Sequence, residues 1–290
     1  GWVGRSPANA RALAAVIADH PDADVVVNSL TALPTVAWAV RHDRSRRVAW
    51  LVHDVITTLF HRTMVQISRR HVSNVVAVSP AAARPLTALG LNVEVRRNGV
   101  DWPVAPVEPT VGDPPIVGAL SLVTPWKGHD VLLDAGARLP DVHLEIAGGH
   151  FPHDAAYVEH LRRRSVEPDL AGRVRFLGHR DDPLATMRGW DVFVSTSVAP
   201  EAGPMTVIEA LSIGLPVVAS DHGSPRDDLA EGRGVLVPPG DAHALARGIT
   251  AALADDDERR RRADAGRRYV AEQFDLAMTV PEQFAAVFGA

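Results

Sequence analysis

Residues 200–216 read PEAGPMTVIEALSIGLP, and the rest of the chain is organised around them. Two acids, Glu201 and Glu209, stand eight positions apart. Gly203-Pro204 lies between them, followed by an apolar run that closes at Ile213-Gly214. Glycine allows backbone angles that other residues avoid, and proline at a first helical position forfeits no hydrogen bond. The pattern predicts a helix opening at Pro204 and closing at Gly214. Its first free N–H groups, near Met205 and Thr206, make a ready anion site. Glu201 precedes that end. Glu209 lies one to two turns in, and helical side chains lean back toward the N-terminus. Both acids are therefore expected to border one pocket whose floor attracts phosphate. The competing reading is a surface helix with two solvated acids. The Gly-Pro start and the buried strand expected after it, PVVAS, weigh against that.

The chain of 290 residues has room for one large or two medium domains, and 46% hydrophobic residues suffice for substantial cores. A net charge of −5 gives no support to nucleic-acid binding. There is no cysteine, which excludes disulfides and cysteine-held metal. The 13 histidines show no paired ligand spacing on one helix. No apolar run is long enough to span a bilayer, and no signal peptide opens the sequence. Of the 30 Lys and Arg residues, Lys127 is the only lysine. Such a residue can mark a place where a compact ammonium serves and a planar guanidinium does not.

Outward from the central stretch, apolar runs alternate in strand and helix periods. A helix over 7–20 and a strand in DADVVVNSL open the chain. Asp22-x-Asp24 has the form of a metal–diphosphate motif but sits at a strand's start, and active-site residues of open α/β sheets lie at strand carboxyl ends. VAWLVHD (48–54) ends in His53-Asp54, the correct end for function. A helix over 55–70, the strand VSNVVAVSP, a short helix to Gly90 and a strand in NVEVRRNGVD follow. The alternation argues parallel sheets covered by helices. Residues 102–115, WPVAPVEPTVGDPP, are proline-rich without periodicity and read as a linker. A second, fuller series runs from PIVGALSLV to GVLVPP. Arg259 to Arg262 form a basic run beside Asp255 to Glu258, best read as a solvated helix face.

These landmarks fall in the order found in retaining glycosyltransferases of family 4. VRRNGVD, PWKGHDVLLDA, VRFLGHR, the Glu201-to-Glu209 motif, LPVVASDHGSP and GVLVPPGD each resemble a motif of that family. The resemblance implies an α/β chain of two Rossmann-like domains facing a cleft, the GT-B fold. The N-terminal acceptor-side domain, 1–102, is then incomplete. Residues 103–275 are the donor-binding domain, and 276–290 are a helix returning toward the first. Residue by residue, the resemblance assigns Lys127 to the donor diphosphate and Glu209 to the ribose hydroxyls. Glu201 is assigned to donor-sugar hydroxyls near the reacting carbon. Gly203, Pro204, Met205 and Thr206 would line the phosphates, Arg180 would lie near the base, and His53 would touch the donor sugar. Glu201, Lys127 and His53 are the expected catalytic group.

The implied reaction is metal-independent and cofactor-free transfer from a UDP- or GDP-sugar to an unidentified acceptor (glycan, glycolipid or small molecule). The reading places the protein in the cytoplasm and leaves room for peripheral contact at the inner membrane face. Two departures stand out. The family usually has an arginine five residues before the motif lysine, and here that slot is Leu122. The glycine-rich loop the family carries early in its first domain is absent from this sequence, so a protein beginning here is expected to transfer poorly. The alternatives are a non-catalytic nucleotide-sugar binder and a nucleotide-sugar epimerase. A glycosidase-type carboxylate pair ranks lower, because Lys127 and the Gly-Pro helix start favour phosphate. A pyridoxal-dependent phosphorylase is disfavoured, because the sole lysine is already assigned.

Overall fold

The computed structural model describes residues 2–43, 45–107 and 111–289, with the backbone alone for 2–7. The alternating apolar runs become two separate parallel sheets in two units, one of Gly1–Gly99 with Ala277–Ala290, the other of Val100–Leu276.

In the first unit, α1 (Trp2–Asp19) leads to β1 (Val25–Val27), α2 (Leu33–Ala39), β2 (Val48–Val52) and α3 (Leu59–Ser68). Then come β3 (Asn74–Ala77), α4 (Pro80–Thr87) and β4 (Glu94–Val95). The strands lie in the order β1-β2-β3-β4, all parallel. The expected helix over 55–70 starts only at Leu59, because the Thr58 hydroxyl caps it by accepting from the His61 amide at 3.1 Å. Asp22 and Asp24 lie before β1, away from the strand carboxyl ends, and Asp24 is 3.8 Å from Arg47.

In the second unit, β5 (Ile116–Leu120), α5 (His129–Gly136), β6 (His143–Ala147), α6 (Ala155–Ser165) and β7 (Val174–Gly178) form one half. The other half is α7 (Pro183–Met187), β8 (Val192–Ser195), α8 (Met205–Ser212), β9 (Val217–Ser220), α9 (Pro225–Asp228) and β10 (Val235–Val237). Two long helices follow, α10 (Ala242–Leu253) and α11 (Asp256–Gln273). Strand order is β10-β9-β8-β5-β6-β7, all parallel. Leu132, Leu144, Val192, Val218 and Ile249 fill one side of this sheet; Trp190, Phe193, Ile208 and Leu211 fill another cluster. The final helix, α12 (Leu276–Phe288), packs Val287 against Ala49 and Val76.

Two expectations change. The helix after Glu201 runs from Met205 with Pro204 as its cap residue, and the left-handed turn lies at its far end, Gly214 (φ 75°). Gly203 is not among the positive-φ residues. The proline-rich segment is no free linker in its described part. Trp102, Val104 and Val107 pack on the α8 side of the core, and Arg267 stacks 4.8 Å over Trp102 while donating to the Val104 carbonyl. Residues 108–110 of that segment lie outside the described residues. Along the chain, the first compact unit runs to Gly99 and the second begins at Val100. Val100 is tied to the second unit by a 2.8 Å bond from its amide to the Phe274 carbonyl. The Arg259–Arg262 run is neutralised within α11: Arg260 pairs with Asp257 at 3.1 Å and Arg262 with Glu258 at 2.9 Å.

Candidate functional site

The order of the second sheet reverses between β5 and β8. From β5 the chain winds outward through β6 and β7; from β8 it winds the other way through β9 and β10. Open parallel sheets bind ligands at such a switch point, beyond the strand carboxyl ends, where two loops diverge. Here those loops are 121–128, after β5, and 196–204, after β8.

The two loops are fastened together. The Thr196 hydroxyl donates to the Lys127 carbonyl at 2.8 Å, and the Val198 amide donates to the Trp126 carbonyl at 2.8 Å. Gly128 (φ 67°) closes the lysine loop, and a Cβ there would stand 2.2 Å from the Thr196 carbonyl oxygen, so no other residue fits. The fastening sets the lysine and the acid against each other. Lys127 Nζ lies 2.5 Å from Glu201 Oε2 and 4.3 Å above the Trp126 ring. The side chains are only 13% and 8% exposed, so this is a shielded ion pair and not a surface one.

A third loop holds Glu201 from behind. The Ser224 amide donates to the Glu201 carbonyl at 2.8 Å, and His222 Nε2 donates to the Ser197 carbonyl at 2.7 Å. Gly223 (φ 62°) passes so near that a Cβ would lie 2.4 Å from Glu201 O and 2.5 Å from Glu201 N. The Ser197 hydroxyl donates to Glu201 Oε1. Beneath the lysine, His129 is buried with Nε2 3.3 Å from the Ser121 hydroxyl. Burial, and then the charge of Lys127, push its pKa down to about 4, against the opposing pull of Asp130, so it is neutral at physiological pH.

A hollow at the switch point is lined by Ser121, Lys127, Ser195, Ser197, Glu201 and Thr206, among others. The structure thus brings together Lys127, Glu201 and the first turn of α8. Pro204 offers that turn no side-chain cap, and the opening amides at Met205 and Thr206 have no acceptor within the helix. Glu209 does not join this lining. Half-buried further along α8, it has its Oε2 unpartnered, and burial raises its pKa. Arg180 is exposed just beyond β7, its Nε 3.4 Å from the Thr186 hydroxyl. Leu122, in the slot expected to hold arginine, is 42% exposed and supplies no charge. His53 stands in the first unit beyond the end of β2; partial burial holds its pKa below the ordinary value, against the pull of Asp54. Among the described residues, no group of three or more His, Asp or Glu could hold a metal ion. Ser197, His222 and His129 did not stand out in the sequence, since single serines and histidines carry no spacing signal.

Residues 104–269 match the model of the family Glycosyl transferases group 1. The lipopolysaccharide core biosynthesis glycosyltransferase LpsE of Rhizobium meliloti is 32% identical over 65% of this chain and 52% of its own length. The phosphatidyl-myo-inositol mannosyltransferase of Mycobacterium leprae is 36% identical over 67% of this chain and 54% of its own. The chain spans about half the length of these curated relatives. Among solved structures, HepE of Anabaena in complex with UDP and glucose superposes with a TM-score of 0.85 and 28% identity. That alignment covers 96% of this chain and 80% of HepE.

Proposed function

Because this chain belongs to the Glycosyl transferases group 1 family and has the GT-B fold, we propose that it moves a sugar from a UDP- or GDP-sugar to an acceptor, with retention of configuration and without a metal. One observation carries the reading: the only lysine of the chain sits at the switch point, shielded, beside the uncapped N-terminus of α8. An ammonium and helix amides converging there suit a diphosphate leaving group, whose charge they meet in place of a bound cation. The HepE complex with UDP and glucose supports a nucleotide-sugar donor. Glu201 is the acid nearest that point and takes the donor-sugar hydroxyls; Gly203, Pro204, Met205 and Thr206 take the phosphates. His53, for the sugar, and Arg180, for the base, are assigned by family resemblance.

The test is titration calorimetry with UDP, GDP and ADP, followed by release of nucleotide from the matching nucleotide-sugar with and without candidate acceptors. The reading expects one nucleotide to bind and its release to rise with an acceptor. A second reading, a nucleotide-sugar binder without turnover, is favoured by the exposed Leu122 in the arginine slot. It expects binding, and no release with any acceptor.

Glu209 is proposed to accept hydrogen bonds from the ribose, because its Oε2 is buried with no partner. Its raised pKa means that the folded protein binds a proton there more readily than the unfolded chain. Stability from this group is therefore present at low pH and lost as pH rises through the raised value. Glu209→Gln should then raise the Tm of the unliganded chain at pH 7 while weakening UDP or GDP binding by about 5- to 150-fold, the value of one to two such bonds. Equal nucleotide affinity in the variant would remove Glu209 from the ribose.

No helix of the described residues is long and apolar enough to cross a membrane. Peripheral contact with the cytoplasmic leaflet is supported by α3, where Leu59, Phe60 and Ile67 are 80%, 63% and 59% exposed. Arg62, Arg69 and Arg70 are exposed beside them, and residues 55–71 contain no acid. Apolar anchors flanked by arginine favour an anionic surface. Sedimentation with phosphatidylglycerol vesicles should capture the chain, and Leu59→Ser with Phe60→Ser should abolish capture; equal capture of the double variant sinks this contact.

A further inference from the structure

We propose that Ser197 is a positioning residue for Glu201, held in turn by His222; the proposal rests on the donor-site reading of Lys127 and Glu201. A shielded carboxylate needs partners for both oxygens. Glu201 Oε1 accepts from the Ser197 hydroxyl, and Oε2 faces Lys127 at 2.5 Å. Only Oε2 is thus offered to a ligand. When the ammonium turns to a diphosphate, Oε2 becomes free to accept a sugar hydroxyl, while Oε1 stays pinned and the carboxylate keeps its orientation.

The backbone carries the same message. The segment Ser197–Glu201 is gripped at both ends by one loop: His222 Nε2 holds the Ser197 carbonyl at 2.7 Å, and the Ser224 amide holds the Glu201 carbonyl at 2.8 Å. With His222 Nε2–H spent on that carbonyl, its Nδ1 is buried and unpartnered. The ring therefore presents one donor to one acceptor and no second polar contact. Gly223, between the two gripping residues, allows the loop to approach Glu201 this closely. Three residues of one loop thus fix where the serine hydroxyl points, and the hydroxyl fixes which carboxylate oxygen faces the donor site.

The sole lysine makes the test direct. Protein grown with ε-13C-lysine gives one lysine signal, from Lys127, which reports its pairing with Glu201 without any donor chemistry. Ser197→Ala is expected to move that signal and to lower the transfer rate about 10-fold or more. Nucleotide affinity should stay within about threefold of wild type, because the lysine remains. Ser197→Thr, which keeps the hydroxyl, should restore both signal and rate. In a Glu201→Ala background, which leaves the Ser197 hydroxyl nothing to hold, Ser197→Ala should cost nothing further in rate. An unmoved lysine signal in Ser197→Ala, failure of threonine to rescue, or an equal rate loss in the Glu201→Ala background each overturns the proposal. If Ser197→Ala does not fold, Ser197→Cys takes its place with the same expectations. Should wild type neither bind nucleotide nor transfer sugar, the donor reading fails by itself; the lysine signal still decides whether Ser197 sets the Glu201–Lys127 pair.

Discussion

Lys127→Ala is expected to weaken UDP or GDP binding by about 10- to 150-fold, the worth of a charge-assisted hydrogen bond of ~1.5–3 kcal/mol. This is a net figure, because in the unliganded chain the ammonium already has a partner. Glu201 Oε2 holds it at 2.5 Å in a shielded setting, and a diphosphate must draw it away. The same pair makes the variant less stable. Removing one member of a buried pair leaves the other charge without its partner, at a cost of ~3–5 kcal/mol. The lower end applies here, since the Ser197 hydroxyl still serves Oε1. A loss of binding alone could therefore come from partial unfolding. The companion variant Lys127→Met with Glu201→Gln separates the two causes. Two neutral side chains of similar volume should recover much of the stability, read as Tm, and still fail to bind nucleotide. Calorimetry of both variants decides the matter: tight binding by the double variant means that neither side chain meets the diphosphate.

Why Lys127 was visible in the sequence is instructive. A single lysine among arginines is a compositional contrast that survives without any structure. The same holds for α8, whose limits are written in Pro204 and Gly214, and for Glu201, which precedes it by a fixed spacing. The strand–helix alternation gave parallel sheets. What alternation cannot give is strand order. The reversal between β5 and β8 arises from pairing between residues more than 70 positions apart, such as Gly118 with Phe193, and it is this reversal that makes the loops after those strands a site.

The packing of the proline-rich segment has a similar origin. Prolines at 102–115 mark irregular backbone, and irregular backbone is easily taken for a linker. Yet Trp102, Val104 and Val107 are packed, and two arginines far along the chain, Arg188 and Arg267, donate to carbonyls of this segment. Bonds from guanidinium groups to backbone leave no trace in local periodicity. Helical lean predicts Glu209 on the same border as Glu201; the hollow's lining includes Thr206 from the first turn of α8, and Glu209 lies further along that helix. Ser197 and His222 were hidden for a plainer reason. A serine four residues before an acid is common, and its importance depends on a loop that returns from beyond β9 to hold its carbonyl.

Glu201→Gln should separate charge from shape at the same site. The carboxamide can still give its oxygen to Lys127 and its NH2 to the Ser197 hydroxyl oxygen, so the local geometry survives. The negative charge does not. If Glu201 acts on the donor sugar near the reacting carbon, the transfer rate should fall by about 10²–10³-fold, as for other preorganised polar groups at a centre where charge develops. Nucleotide binding should move the other way. With the carboxylate gone, the ammonium is no longer neutralised in the unliganded chain, and an incoming diphosphate meets its full charge. UDP or GDP should then bind as tightly as to wild type or up to about 10-fold tighter. A variant that binds product nucleotide better and turns over worse cannot be explained by unfolding, which lowers both. Nor can it be explained by loss of ground-state contacts alone, which raises KM and leaves kcat in place. Steady-state rates with the nucleotide-sugar identified by calorimetry, set beside nucleotide Kd for the same preparation, supply the comparison. A kcat within about threefold of wild type would show that the acid only parks the lysine and takes no part in transfer.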